Sequence, residues 1–159
     1  MTADPFTNED FRVLTPEAFE FVLSNELKRA ARSQNFLTLV HVEPTLANAR
    51  AGATNERDRA VREVARLISR DVRETDLLAH TGHGRLSVVL LDADLPNSLT
   101  VIERLMARLT HYQFAEPLDI EVGAASCPTH GSDAQSLRRA AEAHPVHHSG
   151  RRRGNASNQ

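Results

Sequence analysis

Two glycines one residue apart, Gly82 and Gly84, stand between two apolar runs, Leu77 to His80 and Leu86 to Leu91. Glycine adopts positive φ angles without steric cost, and a short glycine-bearing link between β-prone runs closes a hairpin. That local pattern already excludes an all-helical bundle and an all-parallel sheet, because one pair of neighbouring strands must run antiparallel. The rest of the chain has to cover the hairpin's faces.

It does so with helices. Thr15-Pro16-Glu17 reads as a helix start: a hydroxyl N-cap, proline at the first helical position and an acid in the first turn. Phe19, Val22, Leu23, Leu27 and Ala30 recur at helical spacing and carry that helix to about Ser33. Phe36 to Val42 (FLTLVHV) is rich in β-formers and reads as a buried strand, which Pro44 is expected to stop. A second helix is expected from Thr54 to Val72, with Val61, Val64, Ala65, Leu67, Ile68 and Val72 on one face. Arg59, Arg62, Arg66, Arg70 and Arg73 fall together on the opposite face. Asp58 and Glu63 interleave with them at ion-pairing distance, so this stripe reads either as a solvated face or as a contact surface.

A third helix is expected near Asn97, with Val101, Ile102, Leu105, Met106 and Leu109 inward. Leu118, Ile120, Val122 and Ala124 alternate with Asp119, Glu121 and Gly123, the pattern of a half-buried strand. A fourth helix spans about Asp133 to Ala143, with Leu137, Ala140 and Ala141 inward, and Pro145 ends it. The order is α-β-α-β-β-α-β-α. Its β-α-β-β-α-β core predicts an α/β (α+β) fold of ferredoxin-like, split-βαβ type, with helices packed on a partly antiparallel sheet. With 159 residues the chain suits one domain, expected over 14–146 between a polar segment at 1–13 and a flexible basic tail at 147–159.

Composition narrows the function classes. A net charge of −2 and an aromatic content of 4% argue against nucleic-acid binding. No apolar run approaches the roughly 18–20 residues that cross a bilayer, and the N-terminus lacks a secretory pattern. The single cysteine, Cys127, excludes an intrachain disulfide and fits a reducing cytoplasm. Pro128 follows it and no base adjoins it in sequence, so a nucleophilic role is not expected.

Several strings, in this order and at these distances, resemble the GGDEF family of diguanylate cyclases. HVEPTLANARAGATNERD, from His41 to Asp58, stands where the family reads D-[LV]-D-x-F-K-x-x-N-D-x-x-G-H-x-x-G-D. RETDLLAHTGHGRLSVVLL, from Arg73 to Leu91, is similar to the family's R-x-x-D-L-x-A-R-x-G-G-D-E-F-x-V-L-L. IEVGAASCP and LRRAAEAHPVHHSGRRRGN correspond to its later strand and its C-terminal helix. The resemblance implies a palm-like sheet and, in working members, the joining of two GTP molecules into cyclic di-GMP.

The residues at the family's catalytic positions imply a different outcome. Cyclases hold two divalent cations through carboxylates, because hard cations want anionic oxygen. Here the strand aspartate is His41, and the turn reads GHGRL in place of GGDEF, so its acidic positions carry Gly84 and Arg85. The guanine-reading asparagine corresponds to Ala49, the following aspartate to Arg50, and the C-terminal phosphate lysine to His147. The second-helix aspartate survives as Asp58, with Arg57 for the glycine before it. The chain is therefore expected to be no enzyme and to need no cofactor or metal.

One family feature is intact. An R-x-x-D product-binding site precedes the turn in many cyclases, and Arg73-Glu74-Thr75-Asp76 keeps both its residues and its offset. A guanidinium fork can engage a guanine edge or a phosphate, and a carboxylate can accept from guanine N–H groups. Arg70 and Arg66 would add attraction for a dianionic dinucleotide. The alternative is that an Arg and an Asp three apart at a helix end form only a surface ion pair.

His41, His80 and His83 form a zinc-type donor set in composition, but His80 takes a family arginine position and should point away from His41. His144, His147 and His148 are separated by Pro145. Three readings remain: a regulatory domain that senses cyclic di-GMP at Arg73 and Asp76, possible as a homodimer because the family's ligand can bridge two domains; a protein-interaction scaffold using the arginine face; and an enzyme of altered chemistry built on His41, His83 and Arg85.

Overall fold

The structure, a computed structural model, describes residues 13–47, 54–82 and 84–149. The expectations for residues 1–12, Ala49, Arg50, His83 and the tail beyond Ser149 lie outside the described residues, as do those for the side chains of His147 and His148. The described elements are β1 (Val13–Leu14), α1 (Pro16–Ser33), β2 (Leu37–Leu46), α2 (Thr54–Asp71), β3 (Leu77–His80), β4 (Leu86–Leu91), α3 (Leu95–His111), β5 (Leu118–Cys127), α4 (Ala134–Ala143) and β6 (Pro145–Ser149).

Local chemistry sets the helix ends. Thr15 accepts a hydrogen bond from the Ala18 N–H at 3.2 Å, with proline in the first turn. Asp94 and Asp133 cap α3 and α4 in the same way, accepting from Asn97 and Ser136. Helix α3 consequently starts at Leu95, ahead of the expected Asn97, because Asp94 is the cap and Pro96 fits the first turn.

Among the described residues the sheet has six strands, in the order β1-β3-β4-β2-β5-β6. Strand β4 lies antiparallel between β2 and β3, so β2, α2 and β3 form the split βαβ unit expected from the sequence. Alternation then sorts the side chains into two cores. Val40, Val42, Leu78, Leu86, Val88 and Ile120 pack under α2 and α3. Leu37, Leu39, Ala79, Val89, Ala125 and Cys127 pack under α1 and α4, against Phe19, Leu23, Leu27 and Leu137.

Three expectations are corrected. Pro44 does not end the first long strand: β2 runs on to Leu46, paired with β5 throughout. Strand β4 accompanies it only to Val42, and a proline is tolerated where a strand has one unpaired side. Phe36 lies outside the strand and is 43% exposed. The polar segment from His147 is not all tail, since β6 pairs with β5 from Pro145 to Ser149 across a register shift at Val122/Gly123.

Candidate functional site

The turn between β3 and β4 closes with Thr81 N–H donating to the Arg85 carbonyl and Arg85 N–H to the Gly82 carbonyl, each at 2.9 Å. Gly82 (φ +90°) and Gly84 (φ +82°) take the left-handed conformations that such a closure demands. Arg85 leaves this turn and crosses the end of the sheet. Its guanidinium pairs with Glu142 of α4 at 2.9 Å and with Glu43 of β2 at 3.6 Å.

Beneath it lies His41, 6% exposed. Its Nδ1 meets Ser87 Oγ at 3.1 Å, and Ser87 Oγ meets Thr81 Oγ1 at 2.8 Å. Its Nε2 is buried without a hydrogen-bond partner among the described residues. Burial, and then the Arg85 charge, lower the imidazole pKa from 6.5 to about 4 against an opposing pull from Glu142. The ring is neutral at pH 7. His41, Glu43, Arg85, Glu121, Gly123, Ala141, Glu142 and Pro145 line a cleft of about 70 Å³.

The donor set does not fit a pair of magnesium ions. His41 offers a neutral imidazole, Gly84 offers no side chain, and the Arg85 cation engages the carboxylates of Glu43 and Glu142. Among the described residues no group of three His, Cys, Asp or Glu side chains is placed to hold a metal.

The structure thus brings His41 and Arg85 together and adds partners that sequence reading missed. Glu43 follows His41 by two residues on one strand face, and Gly123 and Glu121 are paired with His41 and Glu43 by register; strand alternation was the available signal. Glu142 arrives on α4, which approaches β5 so closely that a Cβ at Gly123 would stand 2.1 Å from the Ala141 carbonyl oxygen. No local pattern encodes that approach. His80 pairs with Leu86 and Ala79 with Ser87, which places His80 on the opposite face from His41, as expected.

Arg73 and Asp76 meet at the other end of the hairpin. The Asp76 side chain is 3% exposed and accepts from Arg73 N, Arg73 Nε, Arg73 Nη2 and Leu91 N at 3.1–3.3 Å. Arg73 Nη2 also donates to the Leu91 carbonyl at 2.5 Å, while its side chain is 60% exposed. Asp76 is thus the buried half of a clamp joining the α2–β3 turn to the end of β4. Arg59, Arg66 and Arg70 are exposed along α2, and Arg62 is half-buried. Cys127 is buried, and burial pushes its thiol pKa up.

Comparison with known proteins bears on the family and the fold. The family model described as diguanylate cyclase, GGDEF domain, matches residues 13–149. Among curated proteins none matches this chain. A diguanylate cyclase protein from Thermotoga maritima is 16% identical, with a TM-score of 0.71 over 85% of this chain and 97% of its own. The GGDEF domain of YfiN (TpbB) from Pseudomonas aeruginosa is 18% identical, with a TM-score of 0.69 over 82% and 86%. The coiled coil and GGDEF domain of DgcB from Caulobacter crescentus, solved in complex with cyclic di-GMP, is 15% identical, with a TM-score of 0.71 over 88% and 78%. At these identities the likeness shows the fold.

Proposed function

Because this chain belongs to the GGDEF domain family, we propose that it is a cytoplasmic regulatory member that no longer makes cyclic di-GMP and instead answers to it. One observation carries the loss of catalysis: the Arg85 guanidinium lies between Glu43 and Glu142, over a neutral His41, where the family's reaction needs carboxylates around cations. A fixed positive charge there repels magnesium, and removing it would leave two of the site's carboxylates without their partner.

The ligand reading rests on Arg73, whose guanidinium reaches solvent, with Arg70 and Arg66 on the same helix. A dianionic dinucleotide would meet these cations first. Asp76 then acts by holding Arg73, and it reads a guanine edge only by giving up donors it now accepts from.

Incubation with GTP and magnesium, followed by chromatography, should yield no cyclic di-GMP; product above a protein-free control would overturn the catalytic half. Calorimetry with cyclic di-GMP should give micromolar or tighter binding that Arg73→Ala abolishes. Saturating ligand without heat or thermal shift would end the receptor half.

A further inference from the structure

Helix α2 carries five arginines and four acids over Thr54–Asp71, yet those charges are not mutually cancelled. The Tyr112 hydroxyl donates to the Glu63 carboxylate, and Asp71 pairs with Arg108 of α3 at 2.9 Å. Two of the acids therefore face their own partners. Arg59, Arg66 and Arg70 are exposed and form no ion pair among the described residues. At 1.5 Å per residue the row from Arg59 to Arg70 is about 16 Å long, and its steps of seven and four residues keep it on one helical face.

Beside the row runs a shallow groove lined by Arg59, Ala60, Glu63 and Phe114. Phe114 packs against Tyr112 at a tilt of 58°, with ring centroids 4.7 Å apart, and Tyr112 is 38% exposed. An aromatic shelf next to a row of guanidinium forks is the composition of a recognition surface, where arginine and aromatic residues supply the anchors.

We propose that this ridge docks an acidic helix of a partner protein, with Glu or Asp repeating at helical spacing over the arginine row and an apolar side chain on the Tyr112–Phe114 shelf. The width of the row selects this partner. Glu56, Glu63 and Glu116 flank the groove, and the chain's net charge is −2, so a nucleic-acid backbone would meet repulsion on leaving the ridge. A partner helix lying 8–10 Å away keeps its charges over the arginines alone. The inference goes beyond the receptor reading and needs no nucleotide.

The test is fluorescence anisotropy at about 0.15 M salt with three probes: a synthetic helical peptide bearing a glutamate row, its composition-matched scramble, and a single-stranded oligonucleotide. The patterned peptide should bind at least about tenfold tighter than the scramble. The variant R66E/R70E should lose that preference and instead bind a peptide with a lysine row, which a misfolded variant would not do. Equal binding of patterned and scrambled peptides, tighter binding of the oligonucleotide, or indifference to charge reversal would overturn the proposal. The wild-type peptide titrations contain no nucleotide and the cyclic di-GMP calorimetry contains no peptide, so failure of this proposal is separate from failure of the receptor reading, even though Arg66 and Arg70 enter both.

Discussion

Asp76 and Arg73 are three residues apart and make the same ion pair, yet the two ends of that pair have unequal weight. The carboxylate is 3% exposed and takes up four N–H donors, one of them from Leu91. Removing it leaves buried donors without acceptors, so Asp76→Ala should cost about 2–4 kcal/mol. Arg73→Ala removes a side chain that is 60% exposed, and solvent screening should hold its cost to about 1 kcal/mol or less. Urea unfolding of both variants measures the asymmetry; equal losses would refute the buried clamp. His41 gives a pH signature. Its native pKa of about 4 lies below the 6.5 of an unperturbed imidazole, so the unfolded chain takes up a proton that the native one refuses. Stability should therefore fall as pH drops from about 6.5 to about 4, with His41 contributing on the order of 3 kcal/mol. His41→Leu should flatten that part of the profile, and an unchanged slope would show that other groups set it.

Elements were legible where a side chain carries the signal. Thr15-Pro16 and the apolar spacing of α1, α2 and α3 announce those helices, and the two turn glycines announce the β3–β4 hairpin. β6 was not legible. Its residues, PVHHS, have no alternation; the strand exists because the outer side of β5 offers unpaired backbone groups. The passage of β2 through Pro44 failed for a related reason, since the tolerance comes from where β4 stops and not from Pro44's neighbours in sequence. The candidate site divides along the same line. His41, Gly84 and Arg85 were visible as family positions, while Glu142 depends on how closely α4 packs against β5. That packing can be probed directly. A methyl at Gly123 would meet the Ala141 carbonyl oxygen at 2.1 Å, so Gly123→Ala must push α4 outward and should cost about 2–4 kcal/mol. The same shift would separate Arg85 from Glu142. A thermal midpoint unaltered by this substitution would mean that α4 is not docked at this distance.

The whole molecule is a sheet clothed on both faces, and its single cysteine lies in the layer beneath α1 and α4. Cys127 is 3% exposed, so a disulfide reagent can reach it only when that layer opens. Labelling of the native protein should be slow and should accelerate with denaturant in step with unfolding; prompt stoichiometric reaction would show the layer to be loosely held. The margins of the sheet carry a further consequence. Among the described residues its long strands β2 and β5 are interior, and one border strand, β6, opens with proline. Pro145 has no N–H to donate to a further strand, which guards that margin against runaway fibre-like stacking in a crowded solution.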